Sequence, residues 1–428
     1  MEETLPQINL KLRLLTYNVF VRPPGIRTNY NDFKDERLEC LISTELNAER
    51  LNKAFASASG VPYTVYSVDK DRFPSIPYLS PWRSPRPPKI PAPSATPLSP
   101  DMAAGHSKFT RLDTSIIGQF DICCFQELFS SFSYRQRRFL ERAKTQGFVH
   151  TAASPHPPYL RSTYLVDGGL VVISKYPIVE QDYQLYAQGV DSDMLASKGA
   201  LYTKIEIEKQ KQYLHLFSTH MQASYQRAPG GIPDENLRND SVRVVQMNQL
   251  REFIHDKTKD DKHPIILAGD LNVNSRTSDP NATSSAEYRE MVDLLCTRPT
   301  SDNSSRVKLF ELSDWLTEDT KGIHPPTVGD TLDINGTLHA RETALTGQND
   351  LCCMKRLDYI LQLHRVPAST KNFTMSAYKQ QQETNQQCRV PGSTRVEPFF
   401  IEGFPFSQLS DHYGVSTSLK FDINNNNM

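Results

Sequence analysis

The chain has 428 residues, of which 38% are hydrophobic and 23% are charged, so it is long and apolar enough to bury a large core. Its formal net charge at pH 7 is −1, and this lack of a basic excess argues against a nucleic-acid partner. Seven cysteines, none of them in a C-x-x-C spacing, argue against a zinc site of that kind and predict reduced thiols in an intracellular setting.

We expect no targeting segment at the N-terminus. Residues 1–9 lack a basic region followed by an apolar region, and no stretch of the chain approaches the ~18 apolar residues of a membrane span. We therefore expect a cytoplasmic protein without a signal peptide or a transmembrane helix.

The first part of the chain alternates predicted strands and helices. Apolar alternation predicts a strand at residues 10–18, and apolar residues at helical spacing predict a helix at 34–54. Residues 55–115 contain a proline- and serine-rich stretch and are predicted to be an exposed insertion. A buried strand is predicted at 120–129, and a helix follows at 131–146.

The second part of the chain continues this mixed pattern. Strands are predicted at residues 168–174, 200–207, 213–220, 357–361 and 413–421, with 208–212 as a hairpin turn. One helix is predicted at 234–256, and another follows Ser284 or Ser285, either of which could be its N-cap. Residues 301–349 are predicted to be irregular, and the Asn-rich tail 424–428 is predicted to be disordered.

The most informative stretch is residues 265–274, Ile-Ile-Leu-Ala-Gly-Asp-Leu-Asn-Val-Asn. Its apolar run predicts a buried strand, and Gly269 permits a turn or a close backbone approach where that strand ends. If the chain stays extended, Asp270, Asn272 and Asn274 point to one side and could bind a hard cation with its phosphate. The alternative is a strand followed by an ordinary Asx-rich turn.

Polar residues also stand at the ends of other predicted strands. Each could be structural: His220 could be a satisfied core histidine, and Asp358 could pair with Arg356. Their recurrence, with acids, amides and two histidines but no thiolate spacing, favours magnesium-type chemistry over zinc. The strand-end residues are Asn18, Gln126, Glu127, His220, Asp270, Asn272, Asp358, Asp411 and His412.

These motifs occur in a specific order along residues 10–421. They are Thr-Tyr-Asn18, Phe-Gln-Glu127, Ser-Thr-His220, Gly-Asp270-Leu-Asn272, Arg356-Leu-Asp358-Tyr and Ser-Asp411-His412. In this order the chain resembles the endonuclease/exonuclease/phosphatase superfamily. The resemblance implies an α/β fold, a four-layer α/β/β/α sandwich of the deoxyribonuclease-I type with two packed, mostly antiparallel sheets flanked by helices. It also implies phosphoester hydrolysis with a divalent metal, in a single catalytic domain spanning residues 1–428.

Within the superfamily the chain is most similar to the neutral and bacterial sphingomyelinases. The histidine motif continues as Met-Gln-Ala, and Asp193-Met-Leu-Ala-Ser-Lys198-Gly199 resembles the Asp/Lys loop of neutral sphingomyelinases. The Trp-x-Asp-Arg motif of inositol polyphosphate phosphatases is replaced by Arg356-Leu-Asp358-Tyr. Two features depart from the family pattern: the insertion at 55–115, and the absence of the hydrophobic membrane segments of animal neutral sphingomyelinases.

The resemblance assigns roles to individual residues. Mg²⁺, for which Mn²⁺ substitutes, is expected on Glu127, with Asn18 assisting and Asp411 at a second metal position. Asp270 is expected to orient or deprotonate the attacking water, and Asn272 to hold that water or a phosphate oxygen. The remaining expected roles are His412 stabilising charge or passing a proton, Asp358 fixing the tautomer of His412, His220 beside the phosphate or leaving oxygen, and Asp193 with Lys198 selecting the lipid.

The expected reaction is hydrolysis of sphingomyelin to ceramide and phosphocholine, with peripheral contact to the membrane that holds the substrate. The alternatives are another phosphodiesterase of the same fold, such as a nuclease or a phospholipase C for a different head group, and a scaffold that has lost activity. The sequence leaves the oligomeric state, the acyl preference and the general acid open.

Overall fold

The computed structural model describes residues 8–23, 32–43, 115–158, 162–209, 211–224, 234–300, 305–347, 350–366, 388–401 and 404–423. Apart from residues 404 and 405, these belong to one compact unit. Except for Ser115, the predicted insertion at 55–115 lies outside the described residues, as does the predicted tail at 424–428. A single domain spanning the whole chain stays a prediction.

The first large sheet has six strands, in the order β15-β16-β1-β2-β4-β3. Its strands β1 and β2 are parallel, whereas the other neighbours are antiparallel. The strands are β1 (Ile8–Val21), β2 (Ile122–Leu128), β3 (His150–Ala153), β4 (Val171–Ser174), β15 (Arg395–Glu397) and β16 (Gly414–Ile423).

The second large sheet also has six strands, in the order β11-β14-β8-β7-β6-β5. Here β7 and β8 form the parallel pair, and the other pairs are antiparallel. The strands are β5 (Ile178–Leu185), β6 (Gly199–Glu208), β7 (Gln212–His220), β8 (Ile265–Asp270), β11 (Phe310–Asp314) and β14 (Asp358–Arg365).

Two small hairpins and five α-helices complete the described elements. The hairpins pair β9 (Thr297–Pro299) with β10 (Arg306–Lys308), and β12 (Thr331–Ile334) with β13 (Thr337–Ala340). The helices are α1 (Lys34–Ile42), α2 (Arg135–Lys144), α3 (Asp234–Thr258), α4 (Ala286–Cys296) and α5 (Trp315–Asp319), and short 3₁₀ turns occupy Ile117–Gln119 and Asp191–Leu195. No helix among the described residues is long and apolar enough to cross a membrane.

The two large sheets pack face to face, and β8 is buried on both sides. Ile266 and Ala268 lie in the core between the sheets, whereas Ile265 and Leu267 lie in the core between the second sheet and helices α3 and α4. This double burial explains why the strand is a continuous apolar run rather than an alternating one.

Helices α1 and α2 cover the outer face of the first sheet. The Phe125 ring of β2 packs edge-on against Phe139 of α2, with ring centroids 5.3 Å apart. The buried Arg37 of α1 donates to the Val19 carbonyl of β1 over 2.8 Å. The order of layers is therefore helix, sheet, sheet, helix, which confirms the predicted four-layer α/β/β/α class.

The prediction of irregular structure at 301–349 is wrong for several of its segments. Strand β11 forms an edge of the second sheet, and Phe310 and Trp315 are buried there. Helix α5 and the β12–β13 hairpin also lie in this range. These elements have five residues or fewer, too few for an apolar period to be recognised, so tertiary contacts rather than local periodicity define them.

Other boundaries differ from the predicted ones for local reasons. Helix α1 ends at Ile42 because Ser43 is extended, and residues 44–54 lie outside the described part of the chain. Helix α2 begins at Arg135 rather than 131, since Ser131 is bonded through its backbone N–H and hydroxyl to Asp167. Strand β5 was not predicted, because it is an exposed edge strand whose sequence does not alternate apolar and polar residues.

Candidate active site

The sheet topology brings the strand-end residues together. Because β1 and β2 are parallel, Asn18 and Glu127 lie at the same edge of the first sheet. In the second sheet, the register pairs Asp270 of β8 with both His220 of β7 and Asp358 of β14. The two edges meet where the sheets pack, so residues distant in sequence share one buried site.

The backbone is specialised at this edge. Gly269 has φ of 145°, and a Cβ at this position would lie 2.1 Å from the Thr219 carbonyl oxygen. Glycine is therefore required for β8 to approach β7 beside Asp270. Glu127 and Asn272 take φ values of 55° and 53°, in the left-handed region that non-glycine residues seldom adopt.

Asp270 lies at the centre of the site. Its Oδ2 accepts a hydrogen bond from Asn18 Nδ2 over 3.0 Å, and lies 3.5 Å from His220 Nε2 and 3.8 Å from His412 Nε2. Burial raises the pKa of Asp270 to about 7, against the opposing charge of His412. A carboxyl group with such a pKa can accept a proton from water near neutral pH.

His412 is held by Asp358. The Nδ1–H of His412 donates to Asp358 Oδ2 over 2.9 Å, which directs Nε2 toward Asp270. Burial lowers the pKa of His412, but Asp358 and Asp270 outweigh it and raise the pKa to about 10. His412 is therefore a cation at neutral pH, with Asp358 as its counter-ion.

The alternative pairing of Asp358 with Arg356 is wrong. The fully buried Arg356 donates from Nη2 to Asp314 Oδ1 over 2.6 Å. The backbone N–H of Asp358 instead donates to Thr327 Oγ1 over 3.2 Å. Arg356 thus stabilises the α5 region, and the Asp358 carboxylate stays available to the site.

Glu127 has partners on both carboxylate oxygens. Oε1 accepts from Asn18 Nδ2 over 3.3 Å, and Oε2 accepts from Arg22 Nε over 2.7 Å. Burial alone would raise the pKa of Glu127, but the charge of Arg22 and its hydrogen bond outweigh burial and lower the pKa well below its ordinary value. Asp411 lies close by: burial raises its pKa, while His412 and Arg22 oppose that rise.

The donor set fits a hard divalent cation. One ligand atom each from the buried Asp270, Asp358 and His412 lies within 4.8 Å of the others. Asp358 Oδ1 is buried without a hydrogen-bond partner in the described part of the chain, and Asn18 links Asp270 to Glu127. Asn18 Oδ1 accepts from the backbone N–H of Phe20, so the amide nitrogen of Asn18 faces the carboxylates of Glu127 and Asp270. Asn18 therefore offers a ligand oxygen to a cation only when its amide is flipped.

Lys198 reaches into the site rather than into solvent. Its Nζ donates to Asp193 Oδ2 over 2.8 Å and to the Met221 carbonyl over 2.7 Å, and it lies 3.2 Å from His220 Nε2. Asp193 and Lys198 are both buried, so the pair is not an exposed surface salt bridge.

The lysine also defines the state of His220. Burial and the charge of Lys198 lower the pKa of His220 to about 3, so the ring is neutral. Since the ammonium can only donate, Nε2 accepts and the proton is assigned to Nδ1. That Nδ1 is buried and has no hydrogen-bond partner among the described residues.

The asparagines after β8 do not share one face. Asn272 lies beside the centre: its backbone N–H donates to Asp270 Oδ1 over 2.9 Å, and its Nδ2 donates to the Met221 carbonyl over 3.0 Å. Asn274 is turned away, with Oδ1 accepting from Arg276 N and Arg356 N. The extended arrangement of Asp270, Asn272 and Asn274 is wrong because the strand ends at Asp270 and the chain turns at Asn272.

Sequence reasoning missed Arg22, which bonds Glu127 directly. The only signal for it was a lone arginine four residues beyond Asn18 at the end of a strand. Gln126, by contrast, is structural, since its Nε2 donates to Thr16 Oγ1 of β1 and to Ser218 Oγ of the facing sheet over 3.2 Å each.

Comparison with known proteins gives a consistent set of relatives. A family model described as the Endonuclease/Exonuclease/phosphatase family matches residues 108–412. The chain is 48% identical to a sphingomyelinase of Dictyostelium discoideum, over 96% of this chain and 99% of that protein. It is 34% identical to a sphingomyelinase C of Bacillus cereus over 30% of this chain and 36% of that protein. Among solved structures, a beta toxin of Staphylococcus aureus aligns with a TM-score of 0.48 at 16% identity, covering 95% of this chain and 99% of that one.

Proposed function

We propose a reaction for this chain, which belongs to the Endonuclease/Exonuclease/phosphatase family and is an enzyme of that family. It is a metal-dependent phosphodiesterase that hydrolyses sphingomyelin to ceramide and phosphocholine. The observation that carries hydrolysis is the convergence of Asn18, His220 and His412 on Asp270 Oδ2. The choice of sphingomyelin is supported by the Dictyostelium relative, which is named a sphingomyelinase and aligns with nearly the whole chain.

A divalent cation belongs to this proposal. Glu127 would hold Mg²⁺, for which Mn²⁺ would substitute, and Asp411 would serve a second metal position, because their carboxylates offer oxygen donors and negative charge. Asn18 would assist with its amide oxygen once the amide is flipped. When bound, the cation neutralises charge on the phosphate. The Asp270 and Asp358 carboxylates, which approach each other within 4.8 Å, add negative charge that supports such an ion at this edge of the sheets.

Asp270 is the group that activates water. Water attacks phosphorus, the bond from phosphorus to the ceramide oxygen breaks, and the ceramide oxygen takes a proton. With its pKa raised to about 7 by burial, Asp270 accepts the proton of the attacking water. The backbone N–H of Asn272 fixes Asp270 Oδ1, which leaves Oδ2 directed at the reacting centre.

The two histidines have different proposed roles. His412 is protonated beside Asp358 and stabilises the negative charge that develops on the phosphate or passes a proton. His220 is neutral, and its buried Nδ1–H supplies a hydrogen bond to a phosphate oxygen or the leaving oxygen.

The Asp193–Lys198 pair would admit or select the lipid. Lys198 contacts His220, so movement of the pair would change the site itself. The exposed side chain of Met194 follows Asp193, and the neighbouring backbone bond from Leu165 N to the Leu195 carbonyl brings the exposed Leu165 beside it. Through these apolar side chains, a cytoplasmic protein would contact the membrane surface peripherally.

A head-group release assay tests this function. Purified protein in Mg²⁺ is presented in parallel with sphingomyelin, a lysophospholipid and single-stranded DNA. We expect phosphocholine release from sphingomyelin, its loss in Asp270→Asn, and its retention in the control Asp256→Asn, which changes an exposed carboxylate of α3. Cleavage of DNA without cleavage of sphingomyelin would leave the family assignment standing and refute the substrate.

A further inference from the structure

We propose that Arg22 is an internal counter-ion of the metal site. Arg22 pairs with Glu127 before a divalent cation binds, and that cation must displace it. The proposal rests on the proposed function in one respect, the use of Glu127 to hold the metal. It assigns Arg22 a role that the motifs do not contain, namely setting the affinity of the site for the cation.

A β-bulge in β1 places Arg22 beside Glu127. Strand β1 carries one extra residue relative to β2 between the paired positions Asn18–Gln126 and Val21–Leu128. Phe20 lies inside this irregularity with φ of 52°, and its ring carries the Arg22 guanidinium 4.2 Å from the centroid. The local backbone therefore places the arginine over a neighbouring ring and beside Glu127.

The contacts of Glu127 leave no unoccupied oxygen. Asn18 bonds Oε1 and Arg22 bonds Oε2. Asn18 is fully buried and also bonds Asp270, whereas the Arg22 side chain is 25% exposed and can withdraw. Of the two partners, Arg22 is the one that an incoming cation can replace.

The charges around Arg22 point to the same role. Arg22 interacts with Glu127 directly and with Asp411 through its charge. These are the two carboxylates assigned to the first and second metal positions. A guanidinium that bonds one carboxylate and acts on the second through its charge compensates charge that the divalent cation would otherwise compensate, so the two cations compete.

Competition and simple positioning predict opposite changes in Mg²⁺ affinity when Arg22 is removed. If Arg22 only oriented Glu127 as a ligand, its loss would weaken metal binding. If Arg22 competes, Arg22→Met should bind Mg²⁺ more tightly. We expect about tenfold, which is about 1.4 kcal/mol at 25 °C. Arg22→Lys keeps a cation and should stay close to the original protein.

The experiment is Mg²⁺ titration by isothermal calorimetry on the full chain at low salt, before any substrate is added. The matched control is Arg135→Met, which removes another 25%-exposed arginine bound to a carboxylate, Asp35, and should leave Mg²⁺ affinity unchanged. Thermal melts of all variants without metal separate a change in affinity from a loss of folding.

The outcomes separate this inference from the proposed function. Equal or weaker Mg²⁺ binding by a folded Arg22→Met overturns the counter-ion role, even where the original protein hydrolyses sphingomyelin. Tighter binding in a protein that leaves sphingomyelin intact supports the counter-ion and refutes the substrate. Absence of Mg²⁺ binding in every variant overturns both the inference and the metal dependence.

Discussion

Asp270 and His412 should act as one unit, which a double-mutant cycle can measure. The perturbations are Asp270→Asn, His412→Gln and their combination. His412 Nε2 lies 3.8 Å from Asp270 Oδ2, and two unit charges at about that separation interact by about 4 kcal/mol at an effective dielectric constant of about 20. This energy sets the scale of the coupling between them.

The cycle has a definite expected size. Loss of a general acid or base costs about 10²- to 10⁴-fold, so each single variant should lose about 10³-fold in kcat/KM. Independent losses would multiply to about 10⁶. A coupling of about 4 kcal/mol offsets about three decades, so the double variant should lose only about 10³- to 10⁴-fold.

The assay is phosphocholine release from sphingomyelin in mixed micelles, with thermal melts to establish that each variant is folded. Asp256→Asn, on an exposed part of α3, is the control for a neutralised carboxylate. Losses that multiply to the full product would refute the shared role and place one of the two residues outside the reacting centre.

Three further perturbations test other parts of the account. Glu127→Gln keeps the shape of the side chain but removes its charge, so activity should fall by about 10³-fold or more and recover in part at high Mg²⁺; undiminished activity at low Mg²⁺, or in excess chelator, contradicts it. Lys198→Met should reduce sphingomyelin hydrolysis at least tenfold while largely sparing the small diester bis(p-nitrophenyl) phosphate, both followed by initial rates; equal losses on the two substrates would assign the loop to general chemistry. Asp314→Asn removes the partner of the fully buried Arg356 and should lower the free energy of unfolding by about 3 kcal/mol in urea titrations; a loss of less than 1 kcal/mol would mean that the pair contributes little.

The main strands and helices followed in large part from local sequence patterns, whereas the four-layer order was implied by the resemblance to the family. The continuous apolar run of β8 predicted a buried strand, and Ile265 and Ile266 lie in the cores on its two faces. The polar residues at the ends of such strands were predicted as a candidate site, and several of them lie together around Asp270. His220 and Asp270 meet because the ends of parallel neighbours share one edge of a sheet.

Contacts between distant segments could not be read in this way. Arg356 is two residues from Asp358 in sequence, yet it bonds Asp314, because it precedes β14, which begins at Asp358, and its guanidinium meets a carboxylate 42 residues away at the end of β11. Arg22 meets Glu127 through a bulge that no local pattern announces. The burial of Lys198 beside His220 likewise depends on β6 and β7 pairing as neighbours.

The most direct test of the central claim is the fate of the attacking oxygen. Sphingomyelin is incubated with the protein and Mg²⁺ in ¹⁸O-labelled water, and both products are analysed by mass spectrometry. Water activated at Asp270 attacks phosphorus, so the label should enter phosphocholine, none should enter ceramide, and chelation of Mg²⁺ should stop the reaction. Label in ceramide, or phosphocholine release that continues at full rate in excess chelator, would contradict the account.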